Sequence, residues 1–218
     1  MSTLVIFGRA PLLGEVKTRL GKSIGAEAAL ALYEAFLDDT CTLTQGLGAR
    51  RLLAIHGGID VPQLSHLAKS QRLELVEQGD GDLGAKMTRA MADQLPRGPV
   101  VIIGSDSPTL PRAYLHQALD ELMDHDVVVG PSEDQGYYLI GARLPVPELF
   151  RDVRWSTPEV LPTTLSRLAG RSHAILPPWY DVDSIEDLER LRAHLGTLPP
   201  SVAAATRRAL AALPMKQS

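Results

Sequence analysis

Three acidic motifs and one basic loop hold the residues whose types and spacing could do chemistry. Asp106 stands in Gly104-Ser105-Asp106-Ser107-Pro108, directly after the apolar run Val100 to Ile103. A carboxylate at the end of a buried strand could hold Mg²⁺ or Mn²⁺, hard cations that take oxygen ligands and leave places for substrate phosphates. Asp-Ser-Pro is also ordinary turn chemistry, in which the carboxylate caps the turn. Asp181 and Asp183 form an Asp-x-Asp pair in Trp179-Tyr180-Asp181-Val182-Asp183-Ser184. They could supply a second carboxylate, or they could favour the dipole of the helix that follows. Asp134, in Glu133-Asp134-Gln135-Gly136-Tyr137-Tyr138, adds an acid beside aromatics. Tyr137 and Tyr138 fall on opposite faces of a strand, so at most one faces a pocket.

The basic loop runs from Gly8 to Leu20 and carries Arg9, Lys17 and Arg19 with two glycines. In an extended segment residues two apart face the same way, so Lys17 and Arg19 could converge on one anion. Glycine lets backbone approach a phosphate closely. A solvated basic loop is the plain alternative. A second glycine-rich segment, Gly79-Asp80-Gly81-Asp82-Leu83-Gly84, matches the dinucleotide fingerprint G-x-G-x-x-G, and Asp106 follows about 20 residues later. Asp80 and Asp82 would set negative charge beside a pyrophosphate, and the fingerprint normally follows the first strand, not the third. A glycine turn with Asp82 near a helix N-cap, or a turn wrapping the base or sugar of a nucleotide, fits the same residues.

These loops need elements to position them. Leu4 to Phe7, Arg51 to Ile55, Leu73 to Val76, Val100 to Ile103, Val127 to Val129, Tyr137 to Ile140 and Ala174 to Leu176 read as strands. Ala26 to Leu43 is amphipathic, with Leu30, Tyr33, Phe36 and Leu37 on one face, and Leu83 to Leu95 and Arg112 to Met123 are helical. Ser156-Thr157-Pro158-Glu159 opens a helix with a capping box, and Ser184-Ile185-Glu186-Asp187 opens another in a similar way. Alternating strands and helices predict a mostly parallel sheet covered on both faces, with ligands beyond the carboxyl ends of the strands. The tail from Pro199 carries an alanine-rich helix, Ala203 to Leu213, too short to be stable alone. It is expected to dock on the domain or on a second subunit, as in a homodimer.

The composition narrows the function classes. The chain has 218 residues and 44% hydrophobic residues, which suits one α/β domain. A net charge of −4 argues against broad nucleic-acid binding. Cys41 is the one cysteine and falls in a helical pattern, which predicts packing rather than chemistry. The six histidines are scattered, so no zinc site is expected. No segment reads as a signal peptide or a membrane span, and the expected location is the cytoplasm.

FGRAPLLGEVKTRL, QGDGDLG, GSDSP, EDQGYYLIG, WST and YDVDS occur in this order. Together they resemble a bacterial family of nucleotide-diphospho-sugar transferase-like, or GT-A glycosyltransferase, proteins that includes the domain of unknown function 2064. The resemblance runs from about Leu4 to Leu191. The Lys-Thr-Arg-Leu segment is also similar to phospho-lactate guanylyltransferases, and the general plan to molybdenum-cofactor guanylyltransferases. It implies a single Rossmann-like GT-A domain over residues 1–196, with residues 197–218 as a helical tail, and a nucleotide site at the strand ends. It implies a Mg²⁺ or Mn²⁺ held by Asp106 with Asp183, or Asp181 in its place, and Arg9, Lys17 and Arg19 in a phosphate loop with Gly8. By the same match Ser105, Gly79, Gly81 and Gly84 contact nucleotide. The family usually reads Asp-Gly-Gly-Tyr-Tyr where this chain has Asp134-Gln135-Gly136-Tyr137-Tyr138. Glutamine tolerates positive φ poorly, so the substitution bears on the pocket and on Asp134.

Two reactions suit such a site. In glycosyl transfer an acceptor attacks the anomeric carbon of a nucleotide sugar, and Asp134 could act as general base. In nucleotidyl transfer an acceptor phosphate attacks the α-phosphate of a nucleoside triphosphate, and Arg9, Lys17 and Arg19 neutralise the leaving pyrophosphate. The resemblance puts glycosyl transfer first, and the cationic loop favours nucleotidyl transfer. Asp106, Lys17, Arg19 and Asp134 are the expected catalytic residues of the pair. Outside this class stand an NAD(P)-binding oxidoreductase and a non-catalytic nucleotide-binding module.

Overall fold

The computed structural model describes residues 1–213, so the last five residues of the expected tail lie outside the described residues. Among those described, one seven-stranded sheet forms the centre, in the order β3-β2-β1-β4-β6-β5-β7. Its strands are β1 (Thr3–Arg9), β2 (Arg50–His56), β3 (Glu74–Glu77), β4 (Val100–Gly104), β5 (Val127–Pro131), β6 (Tyr137–Ala142) and β7 (His173–Ile175). All run parallel except β6, which pairs antiparallel with both β4 and β5. The fold is the expected mostly parallel mixed sheet. β1 and β4 are buried along nearly their whole length, as central strands with apolar neighbours on both faces must be. The edge strands β3 and β7 are short and carry exposed or half-buried residues.

Strand alternation sorts the core into two layers. Leu4, Ile6, Leu53, Ile55, Val101 and Ile103 face one side. There they meet α2 (Ala26–Leu43), α3 (Pro62–Gln71) and α5 (Arg112–Asp124) through Leu37, Leu64 and Leu115. Val5, Phe7, Leu52, Ala54, Val100 and Ile102 face the other side, against Met87 and Met91 of α4 (Leu83–Gln94). Leu161 of α6 (Val160–Arg167) joins that layer. Each fully buried Leu, Ile or Phe contributes about 1.5–3 kcal/mol relative to exposure.

Several local expectations are corrected. The chain enters α1 (Thr18–Ile24) directly after Lys17, so Lys17 and Arg19 do not share an extended segment. α3 was not anticipated, although Pro62 at its first turn and Leu64, Leu67 and Ala68 are a helical start and stripe. No capping box forms at Ser156: α6 begins at Val160, and Thr157 Oγ1 instead donates to the Arg154 carbonyl at 2.7 Å. At Ser184 the box does form, with the Ser184 and Asp187 side chains bonding each other's backbone N–H at the start of α7 (Ile185–Thr197).

The tail helix α8 (Ala204–Ala212) packs on the domain itself. Leu210 and Leu213 join a cluster with Leu32 and Phe36 of α2 and Leu188, Leu191 and Leu195 of α7. The buried Asp39 carboxylate of α2 accepts from Ala205 N at 3.0 Å and Thr206 N at 2.7 Å. It supplies the N-terminal cap that Ala203 cannot. Asp39→Ala should therefore cost about 1–2 kcal/mol, the scale of a lost cap. The cost is measured by urea denaturation, and an unchanged midpoint would show that α8 adds nothing to the domain.

Candidate active site

The carboxyl ends of β1, β2 and β4 open into one cavity of about 610 Å³. A groove of about 680 Å³ lies between α2 and α3, lined by Leu37, Leu64 and Leu67 with Glu34, Asp38 and His66, and it holds no lysine or arginine. The smaller cavity is the one where charged side chains converge.

Its floor is a three-residue charge cluster. Lys17 Nζ lies 2.7 Å from Asp106 Oδ1 and 2.7 Å from Asp183 Oδ1. The Lys17 side chain is only 4% exposed. Burial acts to depress its pKa, but the opposite charges of Asp106 and Asp183, with the Asp183 hydrogen bond, outweigh it and hold the ammonium above the ordinary lysine range. The backbone enters this arrangement in the left-handed region, with Lys17 at φ 46° just before α1.

Tertiary hydrogen bonds deliver the acids to one point. Val182 N donates to the Asp106 carbonyl at 3.0 Å, and Ser107 Oγ donates to Asp181. These bonds zip residues 181–183 against the loop after β4. The Asp183 N–H then donates to Asp187 Oδ2 at 3.0 Å, which ties Asp183 to the capping box of α7. Asp181, the alternative ligand, is half-buried and bonded to Ser107 rather than to Lys17. Burial, with the nearby charges of Asp106 and Asp134 and against the Ser107 bond, pushes its carboxyl up to about 7.

The remaining expected residues fall into two groups. Gly8, Arg9, Arg19 and Ser105 line the cavity. Tyr33 clamps this end of β1: its hydroxyl accepts from Arg9 N at 2.6 Å and donates to the Arg9 carbonyl at 3.0 Å. A side chain at Gly8 would meet that hydroxyl 3.2 Å from its Cβ. Gly79, Gly81 and Gly84 do not line the cavity; Gln78, Leu83 and Lys86 around them do. Gly79 and Gly81 take positive φ in a turn that Arg89 holds by donating to the carbonyls of Gln78 and Asp80. A Cβ on Gly84 would lie 2.4 Å from the Phe150 carbonyl, so this glycine serves packing. Asp82 caps α4 through Ala85 N at 2.8 Å, putting a carboxylate where a dinucleotide pyrophosphate would sit. Asp134 also lies outside the cavity lining; its Oδ1 accepts from Ser132 Oγ and from Gly136 N. Gln135 adopts φ 70°, the left-handed conformation that a glycine would take without strain.

His56 and Lys86 line the cavity and were not singled out from the sequence, and Trp155 lines it too, quoted only as part of the WST motif and given no role. His56 was findable, because it ends β2 level with Arg9 on β1. The Trp155 indole N–H is buried and lacks an acceptor among the described residues.

Asp106 and Asp183 could hold a divalent cation. Asp106 Oδ1 is buried and accepts no hydrogen bond of good geometry. Two carboxylates suit a cation whose other places are taken by ligand phosphates; no group of three metal-ligating side chains occurs among the described residues. Lys17 would have to yield its place between the two carboxylates.

A group whose folded pKa is raised binds more protons folded than unfolded. Asp181 therefore costs stability as pH rises from its ordinary 3.8 to about 7. Asp181→Asn keeps an acceptor for Ser107, and its stability should fall less over that interval than the wild type's. Parallel slopes in denaturation series at several pH values would contradict this.

The sequence matches the model of a family described as an uncharacterized protein conserved in bacteria (DUF2064) over residues 40–157. No curated protein matches the chain significantly. Among solved structures, a provisionally named nucleotide-diphospho-sugar transferase from Desulfovibrio desulfuricans is 30% identical, with 96% of this chain and 95% of that one covered and a TM-score of 0.86. A cytidylyltransferase from Leptospira borgpetersenii is 14% identical, with 100% and 98% covered and a TM-score of 0.62. A nucleotidyl transferase from Methanothermobacter thermautotroptrophicus is 14% identical, with 91% and 99% covered and a TM-score of 0.60. The last two likenesses concern the fold. The chain belongs to the bacterial DUF2064 family and has the fold of nucleotide-diphospho-sugar transferases and nucleotidyltransferases.

Proposed function

We propose that the protein is a metal-dependent transferase acting on a nucleotide-activated substrate, with a nucleotide sugar as donor and an acceptor of unassigned identity. The observation that carries this reading is the Asp106–Lys17–Asp183 cluster on the floor of a cavity at the strand ends. The name of the Desulfovibrio relative supports the donor class.

In this reading Asp106 and Asp183 hold Mg²⁺ or Mn²⁺. When bound, the cation supplies charge neutralisation for the departing diphosphate. Lys17 turns its ammonium from the carboxylates to a phosphate oxygen, and Arg19 meets the same diphosphate from the first turn of α1. Gly8 and Ser105 let the phosphates approach the strand ends. Tyr33 fixes the backbone of Arg9, so the groups around the leaving group are held before the ligand arrives, which is where such sites gain rate. Asp134 is committed to its turn, so no proton transfer is assigned to it.

A second reading, nucleotidyl transfer with release of pyrophosphate, is favoured by the cations Arg9, Arg19 and Lys86 along the wall. The products separate the two: a glycosyl transfer releases nucleoside diphosphate, and a nucleotidyl transfer releases pyrophosphate from a triphosphate.

Asp106→Asn keeps the shape and a carbonyl oxygen but removes one of the two charges on Lys17. Its melting temperature without ligand should fall modestly. The extra stabilisation that Mg²⁺ or Mn²⁺ gives in the presence of nucleotide should vanish, since binding shifts stability by mass action. Survival of that metal-dependent shift in a thermal-shift panel would remove Asp106 from the site.

A further inference from the structure

The acidic floor accounts for one end of the cavity; the other end is cationic. Arg9 ends β1 and His56 ends β2, and the two are direct partners in the parallel ladder. Side chains at i, i+2 and i+4 share one face of a strand. Val5 and Phe7 of β1, and Leu52 and Ala54 of β2, pack in the layer under α4. Arg9 and His56 continue these two rows, so both stand on the α4 side of the sheet. Lys86, in the first turn of α4, comes over them from above, one residue before the buried Met87. All three line the cavity.

Lys86 is the informative member. It is 8% exposed, yet it makes no hydrogen bond and no ion pair among the described residues. Its stem is covered by the domain, while its ammonium reaches the solvent of the cavity and lacks a protein acceptor. Its neighbours do not provide one. Burial and the positive charge of Arg9 and Arg89 work against its ammonium, offset in part by Asp80 and Asp82. Asp82 is already engaged as the α4 cap. His56 is likewise pushed below the usual histidine range by burial and by Lys86 and Arg9, and its neutral ring retains one N–H donor. Arg9 has a single weak side-chain bond, to the Glu15 carbonyl at 3.4 Å. Two cations that repel one another and a ring N–H, with no acceptor between them but the weak Glu15 bond, are stabilised when an oxyanion enters the cavity.

We propose that Arg9, His56 and Lys86 form a second oxyanion subsite that takes a phosphate group distinct from the diphosphate held at Asp106, Lys17 and Asp183. The proposal rests on the nucleotide reading only for its view of the acidic end. The group bound has two sources: the terminal phosphate of a nucleoside triphosphate, or an acidic group on the acceptor. The first source belongs with nucleotidyl transfer and the second with glycosyl transfer from a nucleotide sugar to an acidic acceptor, the nucleoside diphosphate leaving.

The test uses the full chain and the variants Lys86→Met and Lys86→Arg. Methionine retains the apolar stem beside Met87, and arginine retains the charge. Calorimetric titrations with GTP, CTP, UTP and ATP, their diphosphates, and inorganic phosphate supply the arms, each with Mg²⁺. If the subsite holds a terminal phosphate, Lys86→Met loses about tenfold or more in triphosphate affinity, the scale of one charge-assisted bond, while diphosphate affinity is kept. If it holds an acceptor group, both nucleotide affinities are kept and inorganic phosphate binding to the diphosphate-saturated protein is lost. In either case Lys86→Arg restores binding, which a role in packing alone would not predict. Equal losses for triphosphate and diphosphate would overturn the proposal, as would a Lys86→Met protein that matches wild type in every arm. Phosphate titrated without nucleotide can enter either phosphate site, and only its Lys86-dependent part reads the subsite. Lys86-dependent phosphate binding there upholds the subsite even if no nucleotide binds, and its absence together with unchanged nucleotide arms rejects it.

Discussion

The ammonium of Lys17 between Asp106 and Asp183 is the interaction on which the rest of the site depends. A lysine head buried this far needs counter-charges, and two carboxylates brought this close need a cation. The three groups come from the loop after β1, the loop after β4 and the segment before α7. Each supplies what the other two lack, and none of the three loops could hold its charge in place alone. The cluster therefore closes the strand-end loops on one another as well as creating the chemistry at the floor of the cavity.

Much of the remaining architecture serves that closure. The backbone bond from Val182 to the Asp106 carbonyl and the Ser107–Asp181 bond bring a distant segment beside β4. The Ser184–Asp187 capping box stops that segment at the right residue by starting α7 there. α7 is pinned by its apolar face against α2 and α8, and α8 is in turn capped by Asp39 of α2. The tail thus buttresses the element that carries Asp183, and its influence on the site passes through packing.

The cavity is electrostatically divided. Its floor pairs acids with one lysine, and its wall under α4 gathers Arg9, His56 and Lys86, which form no ion pair among the described residues. Such division suits an extended, multiply charged ligand that lies across both ends. Arg9, whose backbone Tyr33 holds, needs little reorganisation when such a ligand binds, whereas Lys17 must turn from its two carboxylates. The family match and the 30% identical relative from Desulfovibrio place the chain in the DUF2064 family, with the fold of a nucleotide-diphospho-sugar transferase.

The sequence by itself determined the layered α/β fold, because apolar runs and helical stripes alternate regularly along the chain and each period is set locally. It also determined which loops bear charged side chains, since strand ends are legible as the points where apolar runs stop. Its weaker elements were the short ones: α1 and α3 are stabilised by packing of Leu20 and Leu64 more than by their own propensity. The partners of the charges were beyond its reach. Lys17 was legible as a cation near a phosphate but not as the counter-ion of two acids, because Asp106 and Asp183 lie far from it in the chain and meet it only through the sheet order. Lys86 was one of five lysines and lay on an amphipathic helix; only the placement of α4 over the ends of β1 and β2 made it a charge in the cavity without a partner. Charge pairing is a property of distance in space, and the tertiary structure alone decided it.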